Sequence, residues 1–244
     1  MSKAVVAVLP ARWGSTRFPG KALHPIAGRP LIQHVWERCQ RAKKLAAVIV
    51  ATDDMRIAQA AFDFGAEVAM TSRRHKSGTD RVAEVARNLR GVSHIINVQG
   101  DEPMINPKLI DQLASILLAE RKVGMITAAS RFAPGEDVTD PNVVKVVLDQ
   151  DSNALYFSRA PIPHSRDGIS LVPHYRHQGI YGYSLPLLLK FVNWKPTRLE
   201  QTEQLEQLRA LEHGVKIRVA VTSRASTGVD RPEDVAIVER MLGG

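Results

Sequence analysis

The sequence predicts an α/β protein with a Rossmann-like, mixed but mainly parallel β-sheet. Three observations support this fold class. Apolar runs of strand length alternate with stretches of helical spacing through the first half of the chain. The first run, 4–9, is continuously apolar, as expected for a strand buried on both faces of a parallel sheet. At 244 residues, the chain is long enough for one sizeable domain with a smaller lobe.

The elements follow from the periodicity in chain order. Strands are predicted at 4–9, 47–52, 67–70, 95–98, 143–148, 154–157, 179–184 and 215–221, and helices at 30–38, 55–64, after Ser77, 107–120, 199–213 and 231–242. The pattern changes near Phe132, where two strands joined by an Asp-rich turn indicate a hairpin. The stretch 158–175 is rich in Pro and His and is predicted to be a loop. We therefore expect a single domain, 1–244, whose smaller lobe covers about 131–214.

Composition limits the classes of function. The formal net charge is +8, but the basic residues are scattered and aromatics make up only 5%, which disfavours nucleic-acid binding. Anionic substrates explain the same surplus of positive charge. No apolar run is long enough to span a bilayer, and no signal peptide precedes the first strand. The single cysteine, Cys39, cannot form an internal disulfide, and it fits a reducing cytoplasm.

The loop after the first strand has the composition of an anion-binding loop. It contains three cations, two glycines and a serine: Arg12, Arg17, Lys21, Gly14, Gly20 and Ser15. Loops at the carboxyl ends of parallel strands bind ligands in open α/β sheets, and glycines let backbone N–H groups approach an anion closely. The spacing matches neither the P-loop nor the dinucleotide fingerprint. The residues therefore predict a polyphosphate site, with a solvated basic connector as the alternative.

Two aspartates stand where a metal ion could meet that polyphosphate. Asp101 follows the strand that ends at Val98, and Asp230 precedes the last predicted helix. Mg²⁺ prefers one or two carboxylates together with phosphate oxygens. The alternatives are a turn-capping role for Asp101 and a helix N-cap for Asp230.

Four further segments have ordinary structural explanations on local grounds. Ser77-Gly78-Thr79-Asp80 is a normal helix start, with Ser77 or Thr79 as the N-cap. Arg159 could be a surface arginine, although its planar fork also suits a carboxylate. His177 and Tyr181 lie on a predicted strand, and 203–212 has the pattern of a solvated amphipathic helix.

A resemblance along nearly the whole chain favours functional roles for these segments over the structural explanations. The segment 11–21, ARWGSTRFPGK, resembles the A-R-x-x-S-x-R-x-P-G-K signature of the sugar cytidylyltransferases, and most of all that of the 3-deoxy-manno-octulosonate (Kdo) cytidylyltransferases. Further segments resemble that family's motifs in the expected order: SGTDR at 77–81, VQGDEP at 98–103, SRAPIP at 158–163, HQGIYGY at 177–183, EQLEQLR at 203–209 and GVDRPED at 228–234. Arg231 stands where the family more often has Thr.

The resemblance implies the fold of the nucleotide-diphospho-sugar transferases, CTP and Kdo as substrates, Mg²⁺ as cofactor and a homodimer. It implies a metal site at Asp101 and Asp230, and catalytic roles for Lys21, Arg12, Asp101 and Asp230, with Arg17 a weaker candidate beside the triphosphate. The implied nucleotide-binding residues are Ala11, Arg12, Gly14, Ser15, Lys21, Ser77, Gly78 and Arg81. The implied sugar-binding residues are Gln99, Arg159, His177, Tyr181, Glu206 and Gln207. Nucleotide binding is expected in about 1–130 and 215–244, and sugar binding and dimerisation in about 131–214.

Two alternatives stay open at this point. The acceptor could be another acid sugar, such as an 8-amino analogue of Kdo or a sialic acid. The chain could also be a non-catalytic nucleotide-binding regulator, which predicts loss of Lys21, Asp101 or Asp230, and all three are present. The sequence does not say which group distinguishes cytosine from uracil.

Overall fold

A computed structural model of the chain describes residues 4–14, 18–167, 172–223 and 225–243. The strands are β1 Ala4–Ala11, β2 Pro25–Ile26, β3 Arg29–Pro30, β4 Ala47–Thr52, β5 Glu67–Met70, β6 Val92–Asn97, β7 Met125–Arg131, β8 Lys145–Leu148, β9 Ala154–Ser158, β10 Tyr175–Ser184 and β11 Ile217–Thr222. The helices are α1 Leu31–Gln40, α2 Met55–Asp63, α3 Gly78–Asn88, α4 Pro107–Ala119, α5 Leu185–Phe191, α6 Arg198–Glu203, α7 Gln207–Glu212 and α8 Pro232–Gly243, with a short 3₁₀ turn at Lys21–Leu23.

The central sheet has the order β11-β7-β10-β6-β1-β4-β5, and β8 and β9 extend it beside β10. Along this path β10 runs antiparallel to both of its neighbours, and the other pairs are parallel. The carboxyl ends of β1, β4, β6, β7 and β11 therefore lie at one edge. The first half of β10 reaches the same edge, because Tyr175 pairs with Arg131 at the end of β7 and Tyr181 pairs with Asn97 at the end of β6.

Helices cover both faces of the sheet, and this arrangement explains the continuous apolar strands. Alternate residues of β1 enter opposite cores: Val5, Ala7 and Leu9 join one cluster with α1 and α4, while Val6 and Val8 join the other with α3. A strand buried on both faces has no side exposed to water, so it needs no polar alternation. The fold class predicted from the sequence is confirmed.

Four details of the predicted elements differ in the structure. β7 was not predicted, because Ala128 and Ala129 at its centre have weak strand propensity, although six of its seven residues are buried. The predicted helix 199–213 is two helices, since Gln204 takes a left-handed conformation at φ 54° between them. β10 begins at Tyr175 rather than at Gly179, and Pro30 precedes α1 as its N-cap.

The division into a nucleotide part and a sugar lobe stays a prediction. The segment 131–214 supplies the β8–β9 hairpin, and it also supplies β10, which lies in the central sheet between β6 and β7. Within the described ranges, no helix combines the length and the apolar character that crossing a membrane requires.

Candidate active site

A cleft of about 240 Å³ opens at the carboxyl edge of the sheet, where the loops after β1, β5, β6 and β11 meet. Its lining residues are Pro10, Ala11, Arg12, Lys21, Ala22, His75, Lys76, Ser77, Gly78, Arg81, Gln99, Gly100, Asp101 and Asp230. Most of the predicted nucleotide-binding residues are in this set, together with both predicted metal ligands. Ser15 and Arg17 lie outside the described residues. Gly14 is exposed on the same loop as Arg12.

The loop after β1 is fixed by packing around Trp13. Gly20 donates its backbone N–H to the Trp13 carbonyl at 3.0 Å. It has φ +70°, and a Cβ there would lie 3.1 Å from the Trp13 ring, so both the conformation and the contact require glycine. The Arg56 guanidinium lies 3.3 Å from the centroid of the Trp13 ring. Arg56 is itself held by two hydrogen bonds to Asp54, of 2.9 and 2.6 Å. These contacts anchor the loop next to Lys21.

The first turn of α3 forms the wall of the cleft opposite that loop. Ser77 is the N-cap: its Oγ accepts the Asp80 N–H at 3.1 Å, and its own N–H donates to the Asp80 carboxylate at 3.2 Å. A Cβ at Gly78 would lie 3.3 Å from Pro10 Cγ, so the absence of a side chain lets α3 pack closely on the end of β1. The free N–H groups of a helix start favour an anion in this cleft.

Arg81 lines the same wall, but its charge is already paired. The side chain is buried, its Nη2 lies 3.2 Å from Asp53 Oδ1, and its Nη1 donates to Thr71 Oγ1. A guanidinium held in this way shapes the pocket and has part of its donor set committed to the protein. Arg12, by contrast, is exposed at the cleft mouth.

Lys21 joins the two predicted metal ligands. Its Nζ lies 2.6 Å from Asp101 Oδ2 and 3.5 Å from Asp230 Oδ1. Asp101 follows β6 and Asp230 follows β11, so residues 129 positions apart in the chain meet at one point because their strands end at the same edge. The Val229 N–H donates to the Asp101 carbonyl at 2.8 Å and fixes the two loops to each other.

Both aspartate carboxylates contact Lys21 in the structure. α8 begins at Pro232, which leaves Arg231 at the position before it, and the N–H groups of Asp230 and Arg231 donate to Asp234 at 2.8 Å. The Asp230 carboxylate faces Lys21. The Asp101 carboxylate likewise accepts from Lys21.

This pair of carboxylates suits a divalent cation. Two acidic side chains already converge on one positive group, the Lys21 ammonium, beside a cleft with the features of an anion site. The described residues contain no group of three or more His, Cys, Asp or Glu side chains arranged to hold a metal. Two carboxylates, with the remaining positions left to water and phosphate oxygens, are the donor set that Mg²⁺ commonly takes. The residues present therefore fit the predicted metal.

Glu102 adds a third carboxyl group beside the pair. Its pKa is raised to about 7: burial is the largest cause, the charges of Asp101 and Asp230 also raise it, and Ser226 and the charge of Arg176 oppose the rise. A Cβ at Gly179 would lie 3.9 Å from Glu102 Oε1, so the side chain extends toward β10.

Two of the predicted sugar-binding residues lie together on β10. The ring centroids of His177 and Tyr181 are 5.4 Å apart, and those of Tyr181 and Tyr183 are 6.1 Å apart. His177 Nε2 lies 2.9 Å from Thr127 Oγ1, whose hydroxyl is also within 2.8 Å of the Ile180 carbonyl. With the hydroxyl proton donated to that carbonyl, the Thr127 oxygen is an acceptor for a His177 ring protonated at Nε2. Burial lowers the pKa of His177 to about 3, so the ring is neutral.

Glu206 and Gln207 approach the same region at the start of α7, with Glu206 as the residue before the helix and Gln207 as its first residue. The Glu206 carboxylate accepts from Thr79 Oγ1 at 2.5 Å, and burial raises its pKa. Gln207 is 5% exposed, and its Nε2 has no hydrogen-bond partner among the described residues. A buried unpaired donor is costly unless a ligand or water accepts from it. Gln99, predicted for the sugar, lines the nucleotide cleft, with its Nε2 3.4 Å from Asn97 Oδ1.

The hydrogen-bond partners of Arg159 are not among the other predicted sugar-binding residues. Its Nε donates to the Glu203 carbonyl at 2.8 Å and its Nη1 to the Pro141 carbonyl at 2.9 Å. The Glu203 carboxylate accepts from the Arg159 N–H at 3.0 Å and from Ser158 Oγ at 2.6 Å. The two acceptors of the guanidinium are uncharged backbone carbonyls. A ligand carboxylate could therefore still pair with its positive charge.

Sequence reasoning missed several residues of the site. His75 and Lys76 line the cleft, although the sequence assigned no role to His75, which pairs with Glu84. The basic residue just before SGTD was an available signal for Lys76. Thr79 gave no signal, because its partner Glu206 is distant in the chain. The partners of Arg209, Glu200 and Glu206, are close in the chain, and their charges fit the pattern of a solvated helix.

The low pKa of His177 predicts a measurable pH dependence of stability. Between pH 3 and 6.5 the unfolded chain binds more protons at this residue than the folded chain, so the free energy of unfolding falls as the pH drops through that range. When the pH drops from 7 to 5.5, the free energy of unfolding is expected to fall by about 1 kcal/mol more in the unaltered protein than in His177→Asn. Urea unfolding of both proteins at the two pH values measures it.

The comparison with His177→Asn is needed because Glu102 acts in the opposite direction. Its raised folded pKa of about 7 makes the folded chain bind more protons between pH 4.5 and 7, so its contribution to stability increases as the pH falls. That contribution is common to both proteins and cancels in the difference. Equal pH dependence in the two proteins would show that His177 does not titrate as its burial implies.

The fold and this cleft define a class of protein: an α/β protein whose cleft at the carboxyl edge of the sheet combines a cation-bearing loop with a pair of carboxylates. A sequence profile described as Cytidylyltransferase matches residues 6–217. The chain belongs to this cytidylyltransferase family.

Full-length relatives are 3-deoxy-manno-octulosonate cytidylyltransferases. That of Geobacter sulfurreducens is 50% identical over 98% of this chain and 99% of its own length. That of Pseudomonas syringae pv. syringae is 49% identical over the full length of both. The solved structure of CMP:2-keto-3-deoxy-manno-octonic acid synthetase complexed with CTP has a TM-score of 0.94 and 38% identity, covering 99% of both chains. The family predicted from the motifs is confirmed.

Proposed function

We propose that this chain transfers CMP from CTP to the anomeric hydroxyl of Kdo and releases pyrophosphate. The observation that supports this most directly is the contact of Lys21 Nζ with both Asp101 and Asp230 at the cleft. It brings together, in a chain about 50% identical to its named relatives, the groups needed for nucleotidyl transfer. In this reaction a new bond joins the sugar oxygen to the α-phosphorus, the bond to the β-phosphate breaks, and the hydroxyl proton leaves to solvent.

The protein's part in this reaction is positioning and charge neutralisation. Arg12 and Lys21 would hold the triphosphate, with backbone N–H groups of the loop after β1 and of the α3 start beside them. Arg81 and Ser77 would border the cytidine. Arg17 and Ser15 keep the roles that the family signature implies.

Asp101 and Asp230 would hold Mg²⁺. When bound, Mg²⁺ neutralises phosphate charge and polarises the reacting centre. Lys21 contacts both carboxylates, so it would hold their side chains in place and add a positive charge next to the leaving phosphates.

The acid sugar would lie against β10 and α7. Gln99 faces both the nucleotide cleft and Gly179 of β10, so it stands between the two subsites. The unpaired Gln207 donor and the Glu206 carboxylate suit sugar hydroxyl groups. Arg159 would bind the sugar carboxylate, and this assignment rests on the family motif. His177, being neutral, would act as a hydrogen-bonding side chain beside Tyr181.

The test is pyrophosphate release with CTP, Mg²⁺ and Kdo. ATP, GTP and UTP run beside CTP, and an 8-amino analogue and a sialic acid run beside Kdo. Release that requires both CTP and Kdo supports the proposal. Release only with another acid sugar would keep the chemistry and change the acceptor, and no release from protein that binds CTP would favour a regulatory role.

Three finer predictions belong to the same proposal. A homodimer is implied by the family, and the exposed Leu155 on the β8–β9 hairpin is available for such a contact. A cytoplasmic location is consistent with the single, buried and reduced Cys39. The product would serve lipopolysaccharide assembly.

A further inference from the structure

Glu206 sits against the first turn of α3, although it lies 127 residues further along the chain. Thr79 Oγ1 donates to its Oε2 at 2.5 Å, and Thr79 is 4% exposed. Burial raises the pKa of Glu206, and the Thr79 hydroxyl, the Arg209 charge and the Ser77 hydroxyl oppose that rise. The carboxylate is thus placed next to the N-terminal turn of a helix, where negative charge is favoured.

The other carboxylate oxygen of Glu206 faces a charged side chain. Arg209 Nη2 lies 3.7 Å from Glu206 Oε1. Arg209 is itself fixed by Glu200, through bonds of 2.8 Å from Nε and 2.5 Å from Nη2, and it packs 4.8 Å over the Phe191 ring. With Arg209 only 8% exposed, the pair has little freedom to rearrange. Glu200 and Arg209 therefore fix the position of Glu206 from within α6 and α7.

The same turn of α3 has a second face toward the nucleotide cleft. Ser77, Gly78 and Arg81 line that cleft, while Thr79, between them in the chain, contacts Glu206. Gly78 packs on Pro10 of β1, so the turn is held closely against the sheet. A ligand that orders this turn from the cleft side therefore also orders the donor to Glu206.

We infer that Thr79 is a positioning residue that couples the nucleotide cleft to the α6–α7 segment, through its hydrogen bond to Glu206 and the Glu206–Arg209–Glu200 chain. The inference rests on the proposed function in one respect, that Glu206 faces the acid sugar. Binding of the nucleotide then favours the arrangement of α7 that accepts the sugar, and by linkage the sugar strengthens nucleotide binding by the same factor.

Amide hydrogen exchange measures this coupling with CTP alone, so no turnover occurs. In the unaltered protein, CTP is expected to slow exchange in residues 198–212 about 3- to 10-fold, the effect of roughly one hydrogen bond. Thr79→Val removes the hydroxyl and nearly keeps the shape, and it is expected to abolish this slowing. Thr79→Ser restores the donor and should restore most of it.

Exchange in residues 98–101 serves as the internal control for nucleotide binding. If CTP slows exchange there and not in 198–212 of the unaltered protein, or if Thr79→Val keeps the slowing in 198–212, the coupling is overturned. If CTP slows neither segment, the nucleotide-binding part of the proposed function fails instead.

Hydrogen exchange of the protein without ligand tests the contact between Thr79 and Glu206. Thr79→Val and Glu206→Leu, which remove the donor and the acceptor respectively, are each expected to speed exchange of the amides at 80–82 in the free protein, about 3- to 10-fold for one lost hydrogen bond. Unchanged exchange in both variants contradicts the inference whatever the acceptor sugar proves to be. In steady-state kinetics with the second substrate saturating, Thr79→Val should raise both the KM for Kdo and the KM for CTP, because a coupling lost in one direction is lost in the other. A merely structural role would lower the active fraction and leave both KM values unchanged.

Discussion

Asp101→Asn is expected to lower kcat for CTP- and Kdo-dependent pyrophosphate release by about 10²- to 10³-fold. The substitution keeps the shape of the side chain and removes one of the two negative charges that meet at Lys21 Nζ. With one carboxylate lost, the cation site beside Asp230 is weakened, and the phosphate charge is less well neutralised in the transition state. The measurement is initial-rate kinetics across a range of Mg²⁺ concentrations.

The matched control is Asp63→Asn. Asp63 lies at the exposed end of α2, where its carboxylate accepts from Gln59 at 2.8 Å, so the same loss of charge occurs away from the cleft. The control should keep kcat within about twofold, since surface charges contribute little. A fall in kcat of less than tenfold in Asp101→Asn, at saturating Mg²⁺, would contradict the assignment of Asp101 to the metal site.

Gly100→Ala is expected to lower the free energy of unfolding by about 1–3 kcal/mol and to reduce activity with it. A Cβ at this position would lie 2.9 Å from the Pro10 carbonyl oxygen and 3.2 Å from Ile32 Cδ1. The first of these atoms is backbone at the end of β1 and cannot rotate away. The loop that carries Asp101 must therefore shift, which separates the Asp101 carboxylate from Lys21.

Gly243→Ala is the control for this substitution, because a Cβ there meets no atom within 4 Å among the described residues. Urea unfolding and pyrophosphate release are measured on both variants. An unchanged midpoint and unchanged kcat in Gly100→Ala would show that β1 and the loop after β6 do not approach as closely as the contact implies.

The alternation of apolar runs and helical patterns was sufficient to predict the sheet, because burial on both faces forces continuous apolar strands such as β1. It was not sufficient for β7, whose residues Thr127 to Ser130 are small, and whose burial depends on neighbours on both sides. Local propensity is a weak guide where tertiary packing decides. The break at Gln204 was missed for a similar reason, since a left-handed residue in a polar helical pattern leaves no periodic signature.

The sequence by itself determined the family, the order of the motifs and the types of side chain that the chemistry needs. Lys21, Asp101 and Asp230 could be named from it, because such motifs are short and local. Only the tertiary structure decided which of these residues meet. Lys21 joins both aspartates because β1, β6 and β11 end at one edge of the sheet.

The contact between Thr79 and Glu206 shows the same limit. Each residue has an ordinary explanation in its own segment, one in a helix start and the other in an amphipathic helix. Side-chain contacts between distant segments depend on strand order and helix packing, and the local pattern of residues determines neither.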